Sequence, residues 1–185
     1  MRQLLNDLLE FSKADLKSHQ FVNTNINDVF ARVISDFDLV INEKNATINC
    51  DTLPSIEAIP IQIEQLLHNL ISNSIKFSRS GIPPVIDISS KKPLKTELRS
   101  YGLNEKVEYI EIELSDNGIG FESEYSEQIF EIFQRLNERQ EFPGTGIGLA
   151  LCRKIVNNHN GKIVAEGIPD VGATFRIILP LKQVT

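Results

Sequence analysis

The sequence has few cysteines, no basic excess and no long apolar run, and each shortage excludes a class of protein. Its two cysteines, Cys50 and Cys152, lie far apart and lack metal-ligand spacing, which argues against a thiolate zinc site or a disulfide-stapled scaffold. Both sit among apolar residues, as buried reduced thiols do in a cytoplasmic protein. Lys and Arg number 19 against 25 Asp and Glu, a net charge of −6, so no chain-wide basic surface awaits a nucleic acid. A local basic pocket for phosphates is still allowed. No apolar stretch approaches the ~18–20 residues of a membrane span and no signal-peptide pattern is visible, so this segment is expected to make no membrane contact.

What is present is ordinary globular material. The 185 residues are 41% hydrophobic and 24% charged, enough for one domain plus a tail, or two small domains, without a covalent staple. Met1 falls inside a helical pattern, so the expectation is a segment of a longer protein, with room for membrane parts upstream. Residues 1–18 place Leu4, Leu5, Leu8, Leu9, Phe11 and Leu16 at mixed three- and four-residue spacing, an amphipathic helix with a coiled-coil-like seam. It packs either on its own domain or as half of a dimerising hairpin.

Beyond His19 the pattern changes to mixed strands and helices. Phe21–Asn25 reads as a strand, with Asn25 capping a helix that carries Ile26, Val29, Phe30, Val33, Ile34 and Phe37 on one face. Ala46–Cys50 and the piece between Pro54 and Pro60 read as extended, and Ile61–Phe77 as a strong helix. Val85–Ser89 and Val107–Leu114 alternate as strands around a polar insertion, Ser90–Lys106. A helix from Gly148 to Asn158 and a hairpin of Lys162–Ala165 with Thr174–Leu179 complete the pattern. The elements do not alternate strictly, which favours an α+β layered sandwich over a doubly wound sheet.

Four stretches carry chemistry. In I-E-Q-L-L-H-N-L-I-S-N-S-I-K-F, Asn69, Asn73 and Lys76 share one helical stripe beside the apolar Ile63, Leu66, Leu67, Leu70 and Phe77. Amide oxygens suit Mg²⁺, and a lysine one turn away suits its phosphate co-ligands. The plainer alternative is a solvated face, although Asn is a mediocre helix former. His68 points away from the stripe. In D-N-G-I-G-F, Asp116 ends a strand where it either accepts an exocyclic amine such as adenine's or closes an Asx-turn. Ile129–Arg139 offers Arg135 and Arg139 to phosphate or to solvent, and Gln134–Thr145 has few apolar anchors, as expected of a mobile lid. P-G-T-G-I-G-L-A-L runs alternate glycines into a helix start, either a phosphate cradle or a simple turn.

In this order the four blocks resemble the ATP-binding catalytic domain of sensor histidine kinases, within the GHKL superfamily that also holds gyrase and MutL. H-N-L-I-S-N-S-I-K-F resembles the N box, D-N-G-I-G-F the first glycine box, I-F-E-I-F-Q-R the F box and G-T-G-I-G-L-A-L the second glycine box. G-A-T-F-R-I-I-L-P is similar to the closing strand, and L-L-N-D-L-L-E-F-S-K to the end of a dimerisation and phosphoacceptor hairpin. The match covers about residues 20–182. It implies a two-layer Bergerat-type sandwich, a mixed sheet of about five main strands on three helices, as a catalytic domain over 19–185 with a lid at about 121–146.

Residue by residue, the resemblance implies Asn73 as the Mg²⁺ ligand, Asn69 and Lys76 near the phosphates and Arg135 on the γ-phosphate of ATP. It implies Asp116 on the adenine amine, assisted by Thr174, with Phe77 beside the base and Gly118 and Gly120 shaping pocket and lid. Gly144, Thr145, Gly146, Gly148 and Leu149 would form the phosphate-facing end of the lid and the helix it enters. ATP-hydrolysing relatives carry a glutamate as general base where this chain has Asn69, which disfavours direct activation of water. Implied partners are an upstream dimerisation domain bearing the acceptor histidine, a response regulator and a second copy of the full-length protein.

The chain also departs from the family pattern. None of its histidines (His19, His68, His159) has the acceptor context, and Ile59 stands where relatives often carry an aspartate. A nucleotide-responsive module without transfer, and an ATPase, are the alternative functions.

Overall fold

A computed structural model describes residues 4, 8, 9, 11, 12, 20–136, 142 and 144–183. Asn25 is the pivot of the opening: it ends β1 (Val22–Asn25), and its side chain accepts the Asn27 N–H at 3.0 Å to cap α1 (Ile26–Asp36). A second helix that the apolar pattern does not announce, α2 (Asp38–Lys44), follows directly and ends on Asn45 in the left-handed region. It buries none of its residues, so it carries no periodic signal. β2 (Thr47–Cys50), β3 (Ser55–Ala58) and α3 (Pro60–Lys76) come next. Pro60 occupies the first turn of α3, where a missing N–H costs nothing.

β4 (Val85–Lys91), α4 (Lys95–Ser100) and β5 (Tyr109–Asp116) precede two short 3₁₀ turns, and α5 (Gly148–Asn158), β6 (Lys162–Ile168) and β7 (Gly172–Pro180) follow. The main sheet has strand order β2-β4-β5-β7-β6, with β2 parallel to β4 and every other pair antiparallel. β1 and β3 form a separate antiparallel pair. Five main strands backed by α1, α3 and α5 match the α+β two-layer sandwich that the resemblance implies.

Period-two alternation sorts the sheet into two unlike faces. Ile86, Ile88, Ile112, Leu114, Ile163, Phe175 and Ile177 point into one buried core with Ile26, Val33, Leu66, Leu70 and Ile155 from the helices. The opposite face carries Glu111, Glu113, Ser115, Thr174 and Arg176. Arg176 reaches Glu113 at 3.0 Å and Glu166 at 2.6 Å. The polar insertion is no open loop: α4 lies over this outer face and buries Leu98 with Tyr109 and Ile178. No helix among the described residues is long and apolar enough to cross a membrane. The helical tail expected at 1–18 falls mostly outside the described residues.

Candidate functional site

α3 buries one face in the core and leaves Asn69, Asn73 and Lys76 half-buried along its margin. Beside this stripe lies a cavity of about 250 Å³, lined among others by Ser72, Phe77, Asp116, Gly120, Arg135 and Ala173. Gly144, Thr145, Gly146, Gly148 and Leu149 complete it, so the four stretches separated in sequence share one wall of contacts. Gly118 does not line the cavity. It stands behind Asp116, where an added Cβ would meet the Phe77 carbonyl oxygen at 2.6 Å, and its N–H donates to Asp116 Oδ1 at 2.9 Å.

Asp116 is the best-anchored group in the site. Its Oδ1 also accepts the Ala173 N–H at 3.2 Å, and its Oδ2 accepts the Ser74 hydroxyl at 2.8 Å. Burial lifts this carboxyl above the ordinary aspartate range, and the three hydrogen bonds pull against that rise. The two sequence readings of Asp116 are thus compatible: it closes an Asx-turn onto Gly118 and still faces the cavity.

The opposite end is cationic. Lys76 Nζ sits 4.3 Å from the Phe77 ring centroid, and a side-chain carbon on Gly144 would stand 2.7 Å from it. Burial first, and the Arg135 guanidinium second, hold Lys76 below the usual lysine range. Two neighbouring cations facing one cavity favour an anion between them. Arg135 is held by the glycine segment, donating to the Phe142 carbonyl at 2.7 Å and the Gly144 carbonyl at 3.1 Å. The Phe142 ring lies 5.1 Å from Phe77, closing that side. The remainder of the lid stretch, residues 137–141 and 143, lies outside the described residues, and so does its expected mobility.

Gly146 shows why glycine is needed here. It has φ +77°, and an added Cβ would meet the Phe133 and Gln134 backbone at 2.9–3.0 Å. Its carbonyl accepts the Phe133 N–H at 2.9 Å, so lid base and helix entry touch through backbone alone.

Thr174 is a correction. The pleat turns it to the outer face, where its hydroxyl shares a 3.0 Å hydrogen bond with Ser115. Its neighbour Ala173 takes the cavity position expected of it. Ser72 and Ser74 went unremarked in the sequence. Ser74 carried a signal, since a lone hydroxyl four residues beyond Leu70 on an apolar stripe must find a buried partner. His68 is exposed and rests on Phe37, as a packing residue does.

A two-layer sandwich with a carboxylate at one end of its cavity and paired cations and glycine backbone at the other defines a nucleotide-binding class. Residues 58–183 match the family described as histidine kinase-, DNA gyrase B- and HSP90-like ATPases, and the chain belongs to that family. Cyanobacterial phytochrome A of a Nostoc species is 37% identical over 181 residues, covering 98% of this chain and 22% of its own length. Sensor histidine kinase WalK of Bacillus subtilis is 31% identical over 191 residues, 99% of this chain and 29% of its own. The chain thus spans less than a third of these relatives. The nucleotide-free catalytic domain of histidine kinase ThkA superposes with a TM-score of 0.69 at 26% identity, over 88% of this chain and 99% of that one. Full-length ShkA, solved with AMPPNP, reaches 0.75 at 21% identity, a likeness of fold over 98% of this chain and 36% of its own. The chain is a catalytic domain of the histidine kinase kind.

Proposed function

We propose that this domain binds Mg²⁺-ATP and transfers its γ-phosphoryl group to a histidine on the dimerisation domain of the full-length protein. One observation carries the reading beyond nucleotide binding. Asp116 is the one carboxylate among the described cavity residues, and its oxygens are already engaged by Gly118, Ala173 and Ser74. Among the described residues no other carboxylate lines the cavity to activate water, and the amide of Asn69 cannot take a proton at neutral pH. Catalysis then consists of positioning and electrostatics for an incoming nucleophile that brings its own base.

In this reading Asp116 Oδ2, which among the described residues accepts only the Ser74 hydroxyl, also accepts the adenine amine, and Phe77 lies beside the base. Asn69, Lys76 and Arg135 face the phosphates, which lie against the backbone of Gly144–Gly148 at the start of α5. The donor set suits Mg²⁺, since Asn73 offers a hard amide oxygen in the cavity lining. A magnesium ion takes most of its ligands from phosphate and water, and when bound it neutralises charge on the phosphates. Arg135 exchanges the Phe142 and Gly144 carbonyls for the γ-phosphate. The partners proposed are the acceptor domain, a response regulator and a second copy of the full-length protein.

The test is transfer to the separately supplied acceptor hairpin. Acid-labile phosphate is expected on the hairpin with Mg²⁺-ATP, and Asn73→Ala is expected to abolish it. Tight ATP binding with no label on the authentic acceptor would defeat the reading.

A further inference from the structure

His159 is fully buried at the end of α5, and both ring nitrogens are engaged. Nε2 accepts the Ile59 N–H at 3.0 Å, and Nδ1 lies 2.8 Å from the Ile155 carbonyl. A nitrogen that accepts an N–H carries no proton, so the ring is neutral with its hydrogen on Nδ1, donated to Ile155. Ile59 is the N-cap residue of α3 and supplies no side-chain cap. The imidazole therefore satisfies the backbone N–H at the start of α3 from a hundred residues away in sequence. Phe21, where the chain enters the domain, covers the ring edge-on with centroids 5.2 Å apart.

α3 and α5 run antiparallel, and their contacts lie in register. At the cavity end, a side-chain carbon on Gly148 would lie 3.4 Å from Asn69 Oδ1. Midway, Cys152 Sγ lies 3.9 Å from the Leu66 carbonyl, and at the far end His159 meets Ile59. The apolar contacts between these helices are non-directional and tolerate sliding. A two-sided imidazole bridge is directional and does not. Asn69 lies ten residues along α3 from Ile59, about 15 Å, so a slip at the latch displaces the amides from the glycine backbone opposite.

We infer that His159 is a positioning residue for the nucleotide site: its neutral imidazole sets the axial register of α3 against α5 and thereby aligns Asn69, Asn73 and Lys76 with the helix start at Gly148. The inference rests on the nucleotide reading of the cavity.

The test compares His159→Leu, which fills the space without an acceptor, with His159→Gln, whose amide oxygen can restore one. Affinity for AMPPNP with Mg²⁺ is expected to fall about tenfold in His159→Leu, the scale of one lost buried hydrogen bond, and to recover to within about threefold of wild type in His159→Gln. Amide exchange at Ile59 should accelerate only in His159→Leu. In the wild-type chain, imidazole nitrogen shifts should report the Nδ1–H tautomer, a measurement that does not depend on whether the variants fold. Unchanged affinity in a folded His159→Leu with Ile59 deprotected would overturn the positioning role, and an Nε2–H tautomer would overturn the latch itself. A wild-type chain that binds no nucleotide would instead refute the nucleotide reading, and with it the alignment role, while tautomer and exchange still decide the latch.

Discussion

The hydroxyl of Ser74 donates to Asp116 Oδ2 at 2.8 Å, joining the helix that carries Asn73 to the strand end that faces the cavity. Ser74 is 2% exposed and makes no direct claim on a ligand, so its effect passes through the carboxylate. Ser74→Ala leaves Oδ2 short of a donor and pushes the Asp116 carboxyl higher still. We expect a loss of about 1–2 kcal/mol in unfolding free energy and a fall of about five- to tenfold in ATP affinity. Urea titration and calorimetric binding measure the two separately.

Asp116 itself gives a pH-dependent prediction. Its folded pKa lies above the unfolded value of 3.8, because of burial. Its contribution to stability is therefore complete below 3.8 and is lost as pH rises through the folded value. Asp116→Asn removes the charge while keeping an oxygen for the Gly118 and Ala173 N–H groups. Denaturation from about pH 4 to about pH 7 should show the variant gaining on wild type as pH rises. ATP affinity should fall at least about tenfold across the same range. A variant that loses stability relative to wild type with rising pH contradicts this.

His159 titrates with the opposite sense. Burial holds its pKa below 6.5, opposed by the bond to the Ile155 carbonyl. The unfolded chain binds a proton that the folded chain refuses, so this contribution is intact above 6.5 and declines as pH falls toward the folded value. Thermal unfolding between about pH 7 and about pH 5 should show a slope in wild type that His159→Gln flattens.

Gly146 at the lid and Gly81 in the turn between α3 and β4 form a matched pair. Their φ angles are +77° and +74°, but an added Cβ meets backbone at Gly146 and nothing within 4 Å at Gly81. Gly81→Ala should cost about 1 kcal/mol, from the left-handed conformation alone. Gly146→Ala should cost more and should weaken ATP binding about tenfold, because Phe133 and Gln134 backbone cannot yield without moving Arg135. Equal effects of the two substitutions on nucleotide affinity would show that the contact is irrelevant.

Much of this architecture is written locally. The apolar stripe of Pro60–Lys76, the cap at Asn25 and the alternation of the sheet strands each follow from the spacing of neighbours, and the helix expected at Gly148–Asn158 appears with those bounds. The four motifs mark the site because each keeps its chemistry within a few residues. Thr174 shows the limit of motif reading: position within G-A-T-F is not enough, since the pleat selects which of two adjacent side chains faces the cavity. That alternation was already legible in Phe175 and Ile177.

Amino-acid order alone determined the helix faces, the strand alternation and which residue types were on offer: an amide stripe, a strand-end carboxylate, glycines before a helix and an arginine at the lid. Only the tertiary structure decided who meets whom. Ser74 with Asp116, Lys76 against Gly144, His159 under Ile59 and α4 laid over the outer sheet face join residues far apart in the chain. Local pattern carries no record of such pairings, because a hydrogen bond or a buried face is satisfied by whichever partner the packed layers bring within reach.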